Sequence, residues 1–325
     1  MPELTLIGAI RDGLACALAA DPRVLVMGED VGKVGGVFRA TEGLQEQFGA
    51  DRVVDTPLAE SGIAGTAIGM AAYGMRPVAE MQFMGFILPA VDQIASHAAR
   101  LRARTRGRFS APLVIRAPYG GLIRAPELHS ESLEAIFVHL PGVKVAVPST
   151  PRDAKGMLLA AIADPDPVIF MEPMRLYRAV REDVPAEPYM VPLGQVRVAR
   201  PGRDVTVIAW GAMVPAALRA ATEVAGEGIE AEVIDLRTLS PLDETALAQS
   251  VRRTGRAVVV HEAVRTGGFG AEVAARIAEA AFLYLQAPVA RVTAPDAPYP
   301  PFLLEERFVP QAADIAAAIR STVAF

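Results

Sequence analysis

Apolar residues along the chain alternate between helical spacing and short continuous runs. Near the N-terminus, the residues at helical spacing are Leu6, Ile10, Leu14 and Leu18. Thr5 immediately precedes them and is a residue type that caps helices, so a helix is predicted to begin there. The next apolar run, 24–27, is short and ends at a glycine, which is typical of a buried strand.

The same alternation continues to the end of the chain. Further strands are predicted at 77–83, 113–117, 143–147, 168–172, 205–209, 231–235, 257–261 and 289–293. Helices are predicted at 61–74, 133–139, 151–163, 213–226, 243–253, 268–284 and 311–322, and another carries Val91, Ile94, Ala98 and Leu101 on one face. Because helices separate strands rich in valine and isoleucine, the sequence predicts an α/β fold with doubly wound parallel sheets.

The segment 176–203 interrupts this alternation. It contains four prolines, mixed charges and little apolar periodicity, so a linker across the surface is predicted there. The chain then divides into a first domain at 1–175 and a second domain at 204–325, each with its own sheet.

Composition narrows the functional classes. The 325 residues are 52% hydrophobic and 21% charged, which supports a large core and excludes disorder. The formal net charge of −5 argues against general nucleic-acid binding. The single cysteine, Cys16, permits neither an intrachain disulfide nor a cysteine-based zinc site. Without a signal-peptide pattern or a long uncharged apolar stretch, we expect a cytoplasmic protein with no membrane or nucleic-acid partner.

Glu60 stands where a strand-like segment gives way to a helix of small residues, in the sequence DTPLAESGIAG. This order puts its carboxylate at a helix N-terminus and at the carboxyl end of a strand. In open α/β sheets, ligands bind at that edge. The alternative is an acid that only stabilises the helix through its dipole. Position alone leaves both interpretations open.

His129 lies in the loop that follows the predicted strand 113–117, within the sequence PELHSES. Irregular segments at strand ends concentrate functional residues, and an imidazole can exchange a proton near neutral pH. A merely exposed loop histidine is the alternative. The chain has no GxSxG, GxxxxGK[ST] or HExxH motif, so neither a hydrolase elbow, a P-loop nor a zinc protease is indicated.

A family likeness extends over nearly the whole chain. The segments that carry it, in collinear order, are 28–44, 51–69, 76–86, 126–132, 143–162, 232–243 and 258–273. Together they resemble the β subunits of the thiamine-diphosphate-dependent decarboxylating components of 2-oxo acid dehydrogenase complexes, most of all the bacterial pyruvate type. The wider group is the transketolase superfamily. The resemblance therefore implies a transketolase-like pyrimidine-binding domain followed by a transketolase C-terminal domain.

The resemblance also implies roles for individual residues. Glu60 matches the glutamate that hydrogen-bonds the pyrimidine ring nitrogen of thiamine diphosphate and drives cofactor activation. Phe86 matches the aromatic residue that stacks on the pyrimidine, and Leu58 and Gln82 match residues that line it. His129 matches the loop histidine that serves decarboxylation and acyl transfer to the lipoyl group.

The partners implied by the resemblance fit an oddity of composition. Family sites hold Mg²⁺ and the diphosphate through a GDG motif and a later asparagine, and this chain has neither GDG nor any asparagine. A separate α subunit is therefore expected to supply that half, in an α2β2 heterotetramer with sites at the α–β interfaces. The second implied partner is the dihydrolipoyl acyltransferase core, through its subunit-binding and lipoyl domains. Docking of that core is expected on the second domain, near the carboxylate of Phe325.

A structural K⁺ ion is a further implication, because some family members bind one through main-chain carbonyls. The matching positions are Leu113, Ala161, Ile162, Asp164 and Asp166. The alternative is an ordinary helix end that runs into a turn.

The expected activity is oxidative decarboxylation of pyruvate with reductive acetylation of the lipoyl group. A branched-chain 2-oxo acid enzyme or an acetoin-cleaving enzyme is the alternative within the same class. A non-catalytic relative that keeps only the fold is the alternative outside it. Retention of Glu60, Phe86 and His129 together argues against that last alternative.

Overall fold

The computed structural model describes residues 1–325 and contains two large β-sheets flanked by helices. The strands are β1 (Glu3–Thr5), β2 (Val24–Gly28), β3 (Val53–Asp55), β4 (Arg76–Glu80), β5 (Val114–Tyr119), β6 (Lys144–Ala146), β7 (Val168–Pro173), β8 (Arg181–Asp183), β9 (Arg197–Arg200), β10 (Val205–Ala209), β11 (Ala231–Asp235), β12 (Thr238–Ser240), β13 (Ala257–Val264) and β14 (Ala290–Ala294).

The α-helices are α1 (Leu6–Ala20), α2 (Leu44–Phe48), α3 (Glu60–Ala72), α4 (Val91–Gln93), α5 (Leu101–Arg104), α6 (Glu134–Val138), α7 (Pro151–Ala163), α8 (Met213–Ala225), α9 (Glu244–Thr254), α10 (Phe269–Ala281), α11 (Glu305–Phe308) and α12 (Ala312–Val323). The predicted cap of α1 is confirmed, since the Thr5 hydroxyl accepts a hydrogen bond from the Gly8 amide at 3.2 Å. No helix has the length and apolar character needed to cross a membrane.

Seven strands form the first sheet, in the order β12-β6-β7-β5-β4-β2-β3. Every neighbouring pair is parallel except β12 with β6. Alternate residues of β2 point to opposite faces, so Val24 and Val26 join one apolar core with α1 and α7. Leu25 and Met27 join another core with α3. Both faces are covered, as a doubly wound parallel sheet requires.

The second sheet has five strands in the order β14-β13-β10-β11-β9, with β9 as an antiparallel edge. Val207 of β10 packs with residues of α8 and α12. Ile208, its neighbour, packs on the opposite face with residues of α9 and α10. This sheet is therefore also covered by helices on both faces, and the predicted α/β fold class is confirmed.

The segment 176–203 contains strands as well as turns. β8 pairs with β1, and β9 pairs with β11. β12 adds a strand from the C-terminal part of the chain to the first sheet. These strands are short and lie at sheet edges, where polar residues are tolerated, so they show no apolar periodicity.

The helix predicted through Val91 and Leu101 is wrong in detail. The chain forms a 3-10 helix at Met84–Ala90, which contains Pro89, and a π-helical turn at Ile94–Ala98. In that turn the Ala99 amide donates to the Ile94 carbonyl at 2.9 Å. This hydrogen bond joins residues five apart in the chain, whereas an α-helix joins residues four apart. This π turn and the turn at 99–100 separate α4 from α5, so a regular α-helix does not run from Val91 to Leu101.

A buried ion network ties together three central strands of the first sheet. Arg116 of β5 donates to Glu80 of β4 at 2.7 Å, and to Glu172 of β7 at 2.6 and 2.9 Å. Tyr177 donates its hydroxyl proton to Glu172 at 2.7 Å. Burial opposes the charged guanidinium, but the Glu172 and Glu80 carboxylates outweigh it and raise the pKa of Arg116. The network lies directly before the segment 81–86.

We expect Arg116→Leu to lower the free energy of unfolding by about 3–5 kcal/mol, because it leaves two buried carboxylates without their cation. Urea denaturation of the purified chain at fixed concentration measures the loss. Arg276→Leu, which removes an exposed arginine between Glu244 and Glu272, is the matched control and should have a much smaller effect. Equal losses in the two variants would contradict a structural role for the network.

Candidate active site

The sequence-predicted site residues follow adjacent parallel strands. Glu60 follows β3, Gln82 and Phe86 follow β4, and His129 lies in the loop after β5. β3, β2, β4 and β5 are successive neighbours in the sheet, with Gly28 opposite both Asp55 and Glu80. These residues therefore lie along the carboxyl edge of the sheet, where ligands bind in open α/β folds.

Glu60 is the first residue of α3 and is half-buried. Ala59 precedes it and provides no side-chain cap, and the Glu60 carboxylate forms no ion pair with any basic side chain of the chain. The positive end of a 13-residue helix is thus its nearest source of stabilisation. Ser61 anchors this helix start by donating its hydroxyl proton to the Pro89 carbonyl at 2.7 Å.

Glu29 lies beside Glu60 and was missed by the sequence reasoning. Burial raises the pKa of the Glu29 carboxyl, and the nearby Asp30 and Glu60 carboxylates raise it further. Glu29 follows β2 directly, so it occupies the same kind of position as Glu60. An acid immediately after a buried strand was the signal that could have identified it. The two glutamates make this part of the edge acidic.

The His129 ring packs against two phenylalanine rings. Phe83 and Phe86 meet edge to face with ring centroids 5.8 Å apart. The His129 ring lies 4.3 Å from the Phe83 ring and 4.9 Å from the Phe86 ring. His129 is therefore packed on the Phe83 and Phe86 rings and is not simply exposed. Phe83 is the second residue that sequence reasoning missed, although it lies in the same EMQFMGF segment as Phe86.

One hydrogen bond defines which nitrogen of His129 is free. Nδ1 lies 2.9 Å from the Glu127 carbonyl oxygen. A carbonyl only accepts, so Nδ1 carries the hydrogen and donates it. In the neutral ring, Nε2 then keeps its lone pair and is the nitrogen available for proton transfer.

Gly85 permits the close approach of the 3-10 helix to the loop that carries His129. A Cβ atom at Gly85 would overlap the carbonyl oxygen of Leu128. Leu128 itself has a left-handed backbone, with φ of 67°. The position of His129 thus depends on direct backbone contact between two irregular segments.

Leu58 and Gln82 flank these residues. Leu58 lies between β3 and α3 and is 69% exposed, so its side chain is free for a ligand or partner. Gln82 follows β4 directly and is half-buried. The structure places both at the same edge as Glu60, and it joins Phe86 to His129 by direct contact.

The residues considered for K⁺ lie at the opposite end of the sheet, around the C-terminus of α7. The Ile162 and Asp164 carbonyls accept hydrogen bonds from one Arg76 nitrogen at 2.6 and 3.2 Å. The Leu113 and Ala161 carbonyls accept from the amides of Val168 and Asp164, at 3.0 and 3.3 Å. The carboxylates of Asp164 and Asp166 pair with Lys144 and Arg102, each at 2.6 Å. Basic side chains of the chain itself therefore already occupy this region.

Comparison with family models divides the chain between two of them. The transketolase pyrimidine binding domain matches residues 3–180, and the transketolase C-terminal domain matches residues 194–315. A solved structure described as a split gene transketolase, inactive β4 tetramer, aligns with a TM-score of 0.78 and 24% identity, covering 99% of this chain and 98% of that one. This likeness supports the transketolase-like fold.

Curated relatives give the finer assignment. The pyruvate dehydrogenase E1 component subunit β of Bacillus subtilis is 50% identical over 325 residues, which is 100% of both chains. The subunit of the same name from Acholeplasma laidlawii is 50% identical over 320 residues, or 98% of each chain, and that from Staphylococcus aureus is 49% identical over the full length of both. The chain therefore belongs to the family of pyruvate dehydrogenase E1 component β subunits.

Proposed function

We propose that this chain is the β half of a pyruvate-decarboxylating enzyme that uses thiamine diphosphate and passes the acetyl group to a lipoyl arm. The observation that supports the proposal is that Glu60, Phe86 and His129 all follow adjacent strands at one carboxyl edge, with Phe86 and His129 in contact. A carboxylate without a cationic partner, an aromatic ring and an imidazole with one free nitrogen are the groups that this chemistry needs.

The donor set fits one part of the cofactor. The site residues Glu29, Asp30 and Glu60 are acidic, whereas Leu58, Gln82 and Phe86 are uncharged. An acidic, partly aromatic surface suits a weakly basic pyrimidine ring and disfavours a diphosphate, which would meet like charge. We therefore assign the pyrimidine to this chain, and Mg²⁺ with the diphosphate to an α subunit.

When bound, thiamine diphosphate supplies the electron sink for decarboxylation. Glu60 would hold and share a proton at the ring nitrogen, and the helix start would fix its direction. Phe86 would offer a ring face to the pyrimidine, with Leu58 and Gln82 beside it. His129, held by its Nδ1 hydrogen bond, would move a proton at Nε2 during acyl transfer.

The direct test is an assay of the chain assembled with its co-encoded α subunit. Pyruvate should be decarboxylated with higher kcat/KM than branched-chain 2-oxo acids or acetoin. A pocket that distinguishes substrates by single methylenes separates them by about 10–200-fold per methylene. Equal or higher kcat/KM with a branched-chain substrate would replace pyruvate in the proposal.

We expect the purified chain alone to be inactive with pyruvate, thiamine diphosphate and Mg²⁺. Its carboxyl edge offers acids and aromatic rings but no cluster of ligands for a diphosphate–Mg²⁺ unit. Adding the α subunit should restore turnover in proportion to the heterotetramer formed, as measured by CO₂ release. Steady turnover of the isolated chain would contradict the two-chain site.

We also propose a K⁺ site at the C-terminal end of α7. The converging Ile162 and Asp164 carbonyls support it, but K⁺ would compete with the Arg76 guanidinium for the same oxygens. Thermal unfolding in K⁺ and in choline distinguishes the two: a K⁺-dependent rise in Tm supports the ion, and equal values indicate that Arg76 alone satisfies these carbonyls.

Docking of the acyltransferase core is proposed for the C-terminal part of the chain. Phe325 is 78% exposed, so its side chain is free for a partner. An acidic chain with an exposed terminal segment is complementary to a basic subunit-binding domain. Retention on the core by pull-down, with and without the last few residues and at moderate salt, tests this proposal.

A further inference from the structure

The loop that carries His129 has an unfavourable backbone along much of its length. It is closed at its base, where the Gly120 amide donates to the Glu131 carbonyl at 3.3 Å. Within it, Leu122 and Arg124 adopt left-handed φ values of 63° and 57°. Residues with a Cβ atom rarely adopt this conformation, and it persists only where surrounding contacts hold it.

Three side chains from the C-terminal part of the chain bind the first limb of the loop. Glu262 of β13 accepts from the Gly121 amide at 3.2 Å. Tyr299, which follows β14, accepts at its hydroxyl from the Leu122 amide at 3.0 Å. Glu305, the first residue of α11, accepts from the Arg124 amide at 3.2 Å. These three residues are called the loop clamp below.

The clamp is built into the fold. Glu305 and Glu262 are only 1% and 7% exposed. In each of them the second carboxylate oxygen, Oε1, is buried without a hydrogen-bond partner. The Tyr299 ring packs edge to face on Phe308 at 5.1 Å. Since buried polar groups are costly unless they are paired, binding the loop amides is the evident use of these carboxylates.

The loop clamp binds the same residues whose backbone conformation is unfavourable. The amides of Leu122 and Arg124 are bound by Tyr299 and Glu305, and both residues have left-handed φ. The far limb of the loop ends at His129, which is seated on Phe83 and Phe86. The first limb of the loop is thus fixed by the C-terminal part of the chain, and the far limb is fixed by Phe83 and Phe86.

We propose that Glu262, Tyr299 and Glu305 are positioning residues that hold the loop so that His129 is oriented for acyl transfer. This inference rests on the acyl-transfer role given to His129 under the proposed function. Their hydrogen bonds run to main-chain amides of the loop and not to the His129 ring, so they act through the loop backbone. A displacement of about 1 Å at the imidazole is enough to lower a proton-transfer rate by about 100-fold.

Tyr299→Phe tests the clamp with the least disturbance, because it removes one acceptor and keeps the ring on Phe308. In the assembled α2β2 enzyme, hydrogen–deuterium exchange of the peptide 120–131 should become about five- to tenfold faster, as loss of one hydrogen bond predicts. Reductive acylation of lipoyl domains should fall about tenfold or more relative to decarboxylation with an artificial electron acceptor. Tyr189→Phe is the matched control, since that hydroxyl donates to the Arg152 carbonyl at 2.7 Å, away from the loop.

Two variants of Glu262, one that keeps the hydrogen-bond acceptor and one that removes it, test whether the hydrogen bond itself holds the loop. Glu262→Gln keeps an oxygen that can accept from the Gly121 amide, and it should retain both slow exchange and acyl transfer. Glu262→Leu removes the acceptor and should reproduce the Tyr299→Phe result. If the two Glu262 variants behave alike, hydrogen bonding to the loop is not what matters and the proposal is wrong.

The His129→Ala variant separates failure of this inference from failure of the proposed function. If His129→Ala splits the half-reactions and Tyr299→Phe does not, the positioning role alone is overturned. If His129→Ala leaves both half-reactions unchanged, the role of His129 is overturned and the positioning role with it. Unchanged exchange of the loop peptide in Tyr299→Phe would overturn the clamp directly, without reference to activity.

Discussion

Glu60→Gln is expected to lower kcat by about 100- to 10,000-fold while the assembled enzyme folds normally. Glutamine keeps the size of the side chain and one hydrogen-bonding oxygen, but it cannot exchange a proton with a ring nitrogen. The loss should fall on kcat more than on KM or cofactor affinity, because proton transfer acts on the chemical step. Steady-state kinetics of the heterotetramer with pyruvate provides the measurement.

The competing interpretation of Glu60 as a helix-stabilising acid predicts a different outcome. An acid in the first turn contributes about 0.3–1 kcal/mol through the helix dipole, so its loss would lower Tm slightly and leave turnover near normal. Glu244→Gln is the control, since Glu244 is likewise the first residue of a helix, α9, and that helix packs on the second sheet. A Glu60→Gln enzyme that behaves like Glu244→Gln would contradict a catalytic role.

The buried strands were predictable from sequence because both of their faces are covered. β10 and β11 are buried at every position, and their predicted bounds agree with the structure. The short strands β8, β9 and β12 were not predictable, because their pairing depends on partners distant in the chain. Local apolar periodicity contains no information about such edge pairing.

The candidate site divides in the same way. Glu60 and His129 were identifiable because each follows a strand and lies in a segment with a family likeness. The packing of Phe83 against His129 was not predictable, because a buried phenylalanine has the same sequence pattern as any core residue. The loop clamp was also beyond reach, since Glu262 bonds a residue 141 positions away in the chain. Only the folded chain brings these groups together.

His129→Ala is expected to separate the two half-reactions of the assembled enzyme. Reductive acylation of lipoyl domains should fall by about 100-fold or more, the usual contribution of a general acid or base. Decarboxylation measured with an artificial electron acceptor should fall much less, because that assay does not use the lipoyl arm. The physical reason is that the hydrogen bond from Nδ1 to the Glu127 carbonyl leaves Nε2 free to take part in proton transfer.

Two further variants show whether the loss is due to proton transfer: His129→Asn keeps the hydrogen bond to the loop, and His139→Ala is the control. Asparagine can still donate to the Glu127 carbonyl and keep the loop in place, but it cannot exchange a proton, so its acylation should be as slow as that of His129→Ala. His139, an exposed residue at the end of α6, should be replaceable without effect. Recovery of acylation in His129→Asn would mean that the side chain only shapes the loop. Equal losses in both half-reactions would place His129 at or before decarboxylation, because a group needed only for acyl transfer cannot slow the earlier step.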